Sequence, residues 1–188
     1  MVQTKRSRRE PAPELEARTG HLSDLLTFYY PMHYRIGMDL ETVMGQGRVS
    51  RKQAAILWLI HSRADEEGWV RRKVIETRLS TWFEVSNSSI SNLLRELTRA
   101  PLELVQQVEN PSSGREKLVR LTPHGRRFVD GMIDQSVEYL RRHLGHLGDD
   151  QLAWGIQFFK LAFNPFGQDD GATAAALLGA PPAKPQTR

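Results

Sequence analysis

The chain has 188 residues, 39% of them hydrophobic and 26% charged, with a net charge of +4 and no cysteine. That is the make-up of one well-packed globular domain with length to spare for tails, and the missing cysteines exclude disulfides, thiol nucleophiles and Cys-based zinc sites. No apolar run is long enough to span a bilayer and MVQTKRSRREPAPE at the N-terminus is no secretory signal, so the cytoplasm of a bacterial-type cell is the simplest location.

Charge is unevenly spread. Residues 48–142 hold 17 Lys/Arg against 12 Asp/Glu, and residues 1–9 add Lys5, Arg6, Arg8 and Arg9 with no acid. A positive middle and N-terminus point to a polyanion partner.

In chain order, residues 1–18 read as a flexible basic arm. HLSDLLTFYYPMHYRIGMDLETVMGQG (21–47) repeats apolar residues at helical spacing, from Leu22, Leu25 and Leu26 to Ile36, Leu40 and Val43. Pro31 predicts a kink or break in it, and Gly45 and Gly47 its end. Ser50-Arg51-Lys52-Gln53 is a capping box that opens the helix QAAILWLIHSR. Gly68 stops that helix, Trp69-Val70-Arg71 reads as a short strand, and RKVIETRLS (72–80) is a second, shorter helix followed by a loop, TWFEV.

SNSSISNLLREL (86–97) then combines a Ser/Asn front with a greasy back. Ser86 can cap this helix, Ile90, Leu93, Leu94 and Leu97 line its inner face, and Asn87, Ser88, Ser91, Asn92 and Arg95 project from the other side. ELVQQVE (103–109) alternates like a half-buried strand, NPSSGRE (110–116) is a turn, and KLVRL (117–121) is a second strand. The pair forms a hairpin whose polar, basic tip carries Ser112, Ser113, Arg115 and Lys117. Thr122-Pro123 starts a helix through GRRFVDGMIDQSVEYLRRHL, broken by Gly145 and Gly148. Asp149 or Asp150 caps a last helix, QLAWGIQFFKLAF, and the Ala- and Pro-rich residues 168–188 read as a disordered tail.

The expected fold is therefore mainly α with a small β-hairpin wing: a winged helix-turn-helix core over 48–122, within a domain spanning 19–167. In that plan the second helix of the pair enters the DNA major groove. Asn87 and Asn92 can bond adenine edges, Arg95 and Arg99 can reach guanine or phosphate, and an Arg at the wing tip suits the narrow minor groove.

These residues also carry a resemblance. The capped helix from Ser50, SSISNLLREL, NPSSGREKLVRLTPHGRRFV and the flanking helices resemble the MarR-type winged helix transcriptional regulators of bacteria over about residues 20–165. The junction Leu121-Thr122-Pro123-His124-Gly125 follows the family's pattern. The resemblance implies a homodimer interlocked through its N- and C-terminal helices, bound to pseudo-palindromic double-stranded DNA, most simply as a repressor, and responsive to a small aromatic effector. The wing departs from the family: Ser113-Gly114-Arg115 keeps only the last Arg of the usual pair, Ala100-Pro101-Leu102-Glu103 replaces a Gly, and Gln106-Gln107 stand where an Arg is frequent.

Other readings compete at particular residues. Tyr29, Tyr30, His33 and Tyr34 suit either a pocket for a flat ligand or plain dimer packing. His143, His146, Asp149 and Asp150 include metal-ligand types, but intervening glycines and the capping role of Asp leave no metal or cofactor expected. No phosphate loop, nucleophile turn or H-E-x-x-H occurs, so an enzyme is not expected. The rival function is a winged-helix protein–protein interaction module with little or no DNA binding, which the reduced wing favours and the charge placement opposes.

Overall fold

The computed structural model describes residues 13–163, so the first twelve residues of the expected arm and the whole expected tail lie outside the described residues. The chain divides near the end of its sixth helix into a unit of residues 1–140 and one of residues 141–188.

The first helix, α1 (Pro13–Thr27), begins within the stretch read as an arm. Pro at the first helical position forfeits no hydrogen bond. The interruption expected near the aromatic cluster is present: α1 ends at Thr27 and a turn follows at Phe28, just before Pro31. Pro31 opens a wide π-helical turn, Pro31–Gly37, which leads directly into α2 (Met38–Gly45). The wider turn accommodates a residue that has no N–H and whose ring would strike the carbonyl four residues back. Gln46 then closes α2 in the left-handed region at φ 50°, and its amide donates to the Phe128 carbonyl at 3.0 Å.

The capping box forms as read: Gln53 N–H donates to Ser50 Oγ and Ser50 N–H to Gln53 Oε1, starting α3 (Arg51–Arg63). After the two-residue β1 (Val70–Arg71) come α4 (Arg72–Trp82) and α5 (Asn87–Thr98). The expected loop TWFEV is thus shorter, because α4 runs on through Thr81 and Trp82. β2 (Val105–Asn110) and β3 (Ser113–Leu121) make the hairpin, and β1 pairs with the other edge of β3, giving an antiparallel sheet in the order β1-β3-β2. Its register, Val70 opposite Val119 and Val105 opposite Leu121, turns all four side chains into the core.

The core is a continuous apolar cluster: Ile56, Leu57 and Ile60 from α3, Ile75 and Leu79 from α4, Ile90, Leu94 and Leu97 from α5, Val70, Val105 and Val119 from the sheet, and Phe128, Val129 and Met132 from α6 (Pro123–Leu144). α6 starts as expected, with Thr122 Oγ accepting from the Gly125 N–H at 2.9 Å and donating to the Glu103 carbonyl at 2.7 Å. In the second unit, α7 (Asp149–Phe163) already includes Asp149 and Asp150 in its first turn. The side-chain bond at its start comes from Gln151, whose Oε1 accepts from the Gly148 N–H at 2.9 Å, instead of from an Asp cap. Of the four tryptophans only Trp69 is half-buried; Trp58, Trp82 and Trp154 are exposed. No helix among the described residues is long and apolar enough to cross a membrane.

Candidate nucleic-acid interface

α5 has two faces of opposite character. Ile90, Leu94 and Leu97 are fully buried, with Leu93 half-buried beside them, while Asn87, Ser88, Asn92 and Arg95 are exposed. Ser86 caps the helix, accepting from the Ser89 N–H at 3.2 Å, and its hydroxyl also lies 2.8 Å from that of Ser88. Arg95 Nη1 donates to Asn92 Oδ1 at 2.9 Å, so these two side chains stand as a pre-oriented pair on the exposed face. A rigid pair loses less side-chain freedom on meeting a base than two loose ones do. Arg99, at the helix C-cap, is exposed as well.

Ser91 stands apart from that group. It is half-buried, it donates to the Asn87 carbonyl at 2.8 Å, and it accepts from Arg72 Nη2 at 2.5 Å. Its hydroxyl is taken up by α4, although the residue shares a side of the helix with Asn87 and Arg95.

The wing is longer in β structure and tighter at its tip than expected. β3 begins at Ser113, so the turn is confined to Pro111 and Ser112, with Ser112 N–H donating to Asn110 Oδ1 at 3.0 Å. Ser112 and Ser113 are exposed there. Arg115 and Lys117 consequently belong to β3 and not to the tip; Lys117 is exposed opposite Glu109, and the Arg115 side chain lies outside the described residues. The ladder is irregular between Glu109 and Asn110, where the register shifts. Such an irregularity bends a hairpin and re-aims its end.

Two features of this face escaped the sequence reading. An open cleft runs between α4 and β3, lined by Arg72, Lys73, Glu76, Ser113, Glu116 and Lys117. The run Arg71-Arg72-Lys73 was its one visible signal, hidden because it straddles the end of a strand and the start of a helix. Gln106 and Gln107, which stood out as departures, are both used within the domain. Gln107 Nε2 donates to Thr98 Oγ1 at 3.3 Å, and Gln106, with its amide oxygen turned inward, accepts from Arg120 Nη2 and Nε at 3.0 and 2.9 Å. Arg120 in turn lies over the Trp69 ring, 4.3 Å from its centroid.

The aromatic cluster around Pro31 is exposed. Tyr29 stacks on His33 with centroids 5.9 Å apart, Tyr30 stacks on Tyr34 at 5.8 Å, and His33 meets Tyr34 edge-on at 4.7 Å. The rings therefore pack on each other along the helix. Of these four, His33 alone lines the neighbouring cavity of about 420 Å³, whose other walls are Glu41, Met44, Arg51, Ala54, Ala55, Trp58, Trp82 and Phe83. Glu41 and Arg51 are ion-paired within it.

Comparison with known proteins agrees with this architecture. Residues 49–125 match the family described as winged helix DNA-binding domain. No protein of curated function matches the chain by sequence. Among solved structures, the chain is similar to the MarR family transcription regulator SP03579, with 20% identity over 89% of this chain and 99% of that one and a TM-score of 0.60. Wild-type MarR of E. coli in its apo form is similar at 18% identity, over 82% of this chain and 98% of that one, with a TM-score of 0.52. AbsC, a MarR family transcriptional regulator from Streptomyces coelicolor, is similar at 21% identity over 82% and 94%, with a TM-score of 0.51. Residues 49–125 thus match a winged helix DNA-binding domain, and the chain as a whole shares the fold of MarR family transcription regulators.

Proposed function

We propose that the protein is a sequence-specific DNA-binding transcription regulator of the MarR type, acting in the cytoplasm as a homodimeric repressor on a pseudo-palindromic operator. The observation that carries the reading is α5 itself: a helix anchored by three fully buried aliphatic side chains that offers Asn87, Asn92 and Arg95 to solvent beside a hairpin wing. Two such helices, one per protomer, read successive major grooves about 10 base pairs apart, with the wings on the flanking minor grooves. Asn87, Ser88, Asn92 and Arg95 select the sequence, whereas Arg99, Ser112, Ser113, Arg115 and Lys117 serve mainly the phosphate backbone.

Dimerisation is supported by exposed apolar side chains in each of the two units. Leu22, Leu25, Leu26, Phe28, Tyr29, Tyr30, Met32 and Tyr34 are all exposed within one short stretch of chain, and α7 exposes Trp154, Ile156, Phe158, Phe159 and Leu161. Large apolar side chains exposed in such number along a stretch of chain mark an association surface. A small aromatic effector fits the cavity beside His33, whose Trp58, Trp82 and Phe83 walls suit a flat ring and whose Glu41–Arg51 pair offers a polar anchor.

The test is selection of genomic fragments by the purified protein near physiological salt, beside an Asn92→Ala/Arg95→Ala variant. Recovery of a two-fold symmetric site that the variant no longer selects is the expected result. Weak capture without sequence preference, equal for both proteins, would overturn the reading in favour of a protein–protein interaction module.

A further inference from the structure

Glu76 and Glu116 line a cleft whose other charged residues, Arg72, Lys73 and Lys117, are all basic. Carboxylates beside a polyanion site weaken it by repulsion, so their presence there calls for another role. Each is committed to a defined partner. Glu76 Oε1 accepts from Arg72 Nε at 2.8 Å across one turn of α4, and the two side chains are only 16% and 21% exposed. The same guanidinium donates through Nη2 to the Ser91 hydroxyl of α5, which passes the chain on to the Asn87 carbonyl. Glu116 Oε2 accepts from Asn110 Nδ2 at 2.9 Å across the hairpin, and Glu116 Oε1 lies 4.0 Å from Arg71 Nε. Adjacent arginines at the β1–α4 junction thus reach to different elements, Arg72 to α5 and Arg71 to the wing.

The physical need is directional. The buried stripe Ile90, Leu94 and Leu97 holds α5 to the core, but apolar packing sets the rotation of a helix about its own axis only loosely, since it is non-directional. A planar guanidinium fixed along one edge by a carboxylate offers its remaining N–H groups in one direction. Ser91 lies one turn beyond Asn87 and one turn before Arg95, so the bond to it sets where both of those side chains point.

We infer that Glu76 and Glu116 are positioning residues for DNA recognition: each orients one arginine of the Arg71-Arg72 pair, and through that pair the start of α4 sets the rotation of the recognition helix and the attitude of the wing. The inference rests on the DNA-binding reading above.

Glu76→Gln separates this role from plain electrostatics, because the two predict opposite signs. Removal of a negative charge beside DNA should by itself tighten binding at every sequence. Positioning requires that affinity for the selected site fall by about ten-fold while non-specific binding holds or rises slightly. Ser91→Ala should give the same loss of specificity, and Ser91→Thr, which keeps the hydroxyl, should restore it. The Glu76→Gln/Ser91→Ala double variant should lose little more than either single one, since both break one linkage. Arg72→Lys keeps the charge without the fork and should behave like Glu76→Gln. Glu116→Gln should relax selection only at base pairs flanking the core site. Equal or tighter specific binding by Glu76→Gln, or full specificity in Ser91→Ala, would overturn the inference and leave the regulator reading intact. Failure of the wild-type protein to select any site would remove both. Ser91→Ala alters only one hydroxyl on a helix and decides the matter even if a charge variant folds poorly.

Discussion

Gly125 lies directly against the main chain of Leu104: a methyl group on its Cα would come within 1.9 Å of the Leu104 carbonyl oxygen and 2.8 Å of the carbonyl carbon. The same oxygen accepts from the Thr122 N–H at 3.0 Å, so the residue just before β2 and the start of α6 meet backbone to backbone. No flexible side chain can yield there. Gly125→Ala should therefore destabilise the fold by about 2 kcal/mol or more, as overpacking against a rigid neighbour does. Gly155→Ala in α7 meets nothing within 4 Å and should instead be neutral or stabilising by up to about 1 kcal/mol. Urea midpoints of the two variants provide the check.

Gln53 joins two elements through one amide. It is 7% exposed, accepts from the Ser50 N–H at 2.8 Å and donates to Glu96 Oε2 of α5 at 2.9 Å. Gln53→Ala should cost about 1–2 kcal/mol, from the lost capping box and the stranded partner groups. Adding Glu96→Ala on that background should cost less than it does alone. Strict additivity in the denaturation cycle would show that the contact contributes nothing.

The Tyr139 hydroxyl donates to the Arg35 carbonyl at 2.7 Å and lies 3.4 Å from Asp39 Oδ2. Loss of surrounding water raises its pKa above the ordinary 10.0, the Asp39 charge and hydrogen bond add to the rise, and Arg35 partly offsets it. Folding thus favours the protonated phenol. Its contribution is complete below pH about 10 and disappears as pH climbs through the higher folded-state value. In an absorbance titration Tyr139 should contribute a late phase, which Tyr139→Phe should abolish. Asp39→Asn should move it towards the ordinary range; an unmoved curve would refute the assigned cause.

On DNA, Arg95 and Lys117 should fail differently. Arg95→Ala should lose about 1–3 kcal/mol at the selected site and relax preference at one or two base pairs. Lys117→Ala should weaken all sequences alike and reduce the salt slope by about 0.9 per phosphate contact removed. Identical behaviour of the two variants across a series of salt concentrations would contradict the division between base and backbone contacts.

Association of protomers is tested on the exposed apolar stretch around the end of the first helix. Leu26→Glu combined with Tyr30→Glu places charge on two exposed apolar positions and touches no buried residue. The variant should sediment as a folded monomer at micromolar concentration and lose affinity for a two-half-site operator far more than for a single half-site. An unchanged sedimentation coefficient would exclude this surface from the interface.

Much of the fold was legible because its signals are local. Ser50 and Gln53, Ser86, and Thr122 with Pro123 announce three helix starts by side-chain chemistry within four residues, and the Ile90 to Leu97 stripe fixes which side of α5 goes inside. Errors arose where a residue's role depends on distant chain. Pro31 announced a kink or break, but the sequence does not reveal that the helix resumes as a wide π turn at that residue. Ser91 looked like a contact residue until α4 brought Arg72 to it from 19 positions away. Gln106 and Gln107 looked like lost arginines, yet the sheet register and the end of α5 supply partners for both. The cleft between α4 and β3 was invisible for the same reason: its walls lie some 40 residues apart in sequence.

The stack of Arg120 on Trp69 gives the protein an optical handle. Trp69 is the one half-buried indole, held beneath a guanidinium where β1 meets the wing, while Trp58, Trp82 and Trp154 stand open to solvent. A neutral quencher such as acrylamide reaches Trp58 and Trp82 first, so the emission that survives it comes from the root of the hairpin and, in a dimer, from Trp154 on α7. Any movement of the wing on meeting a binding partner then registers as a change in fluorescence lifetime, with no label attached and no residue replaced.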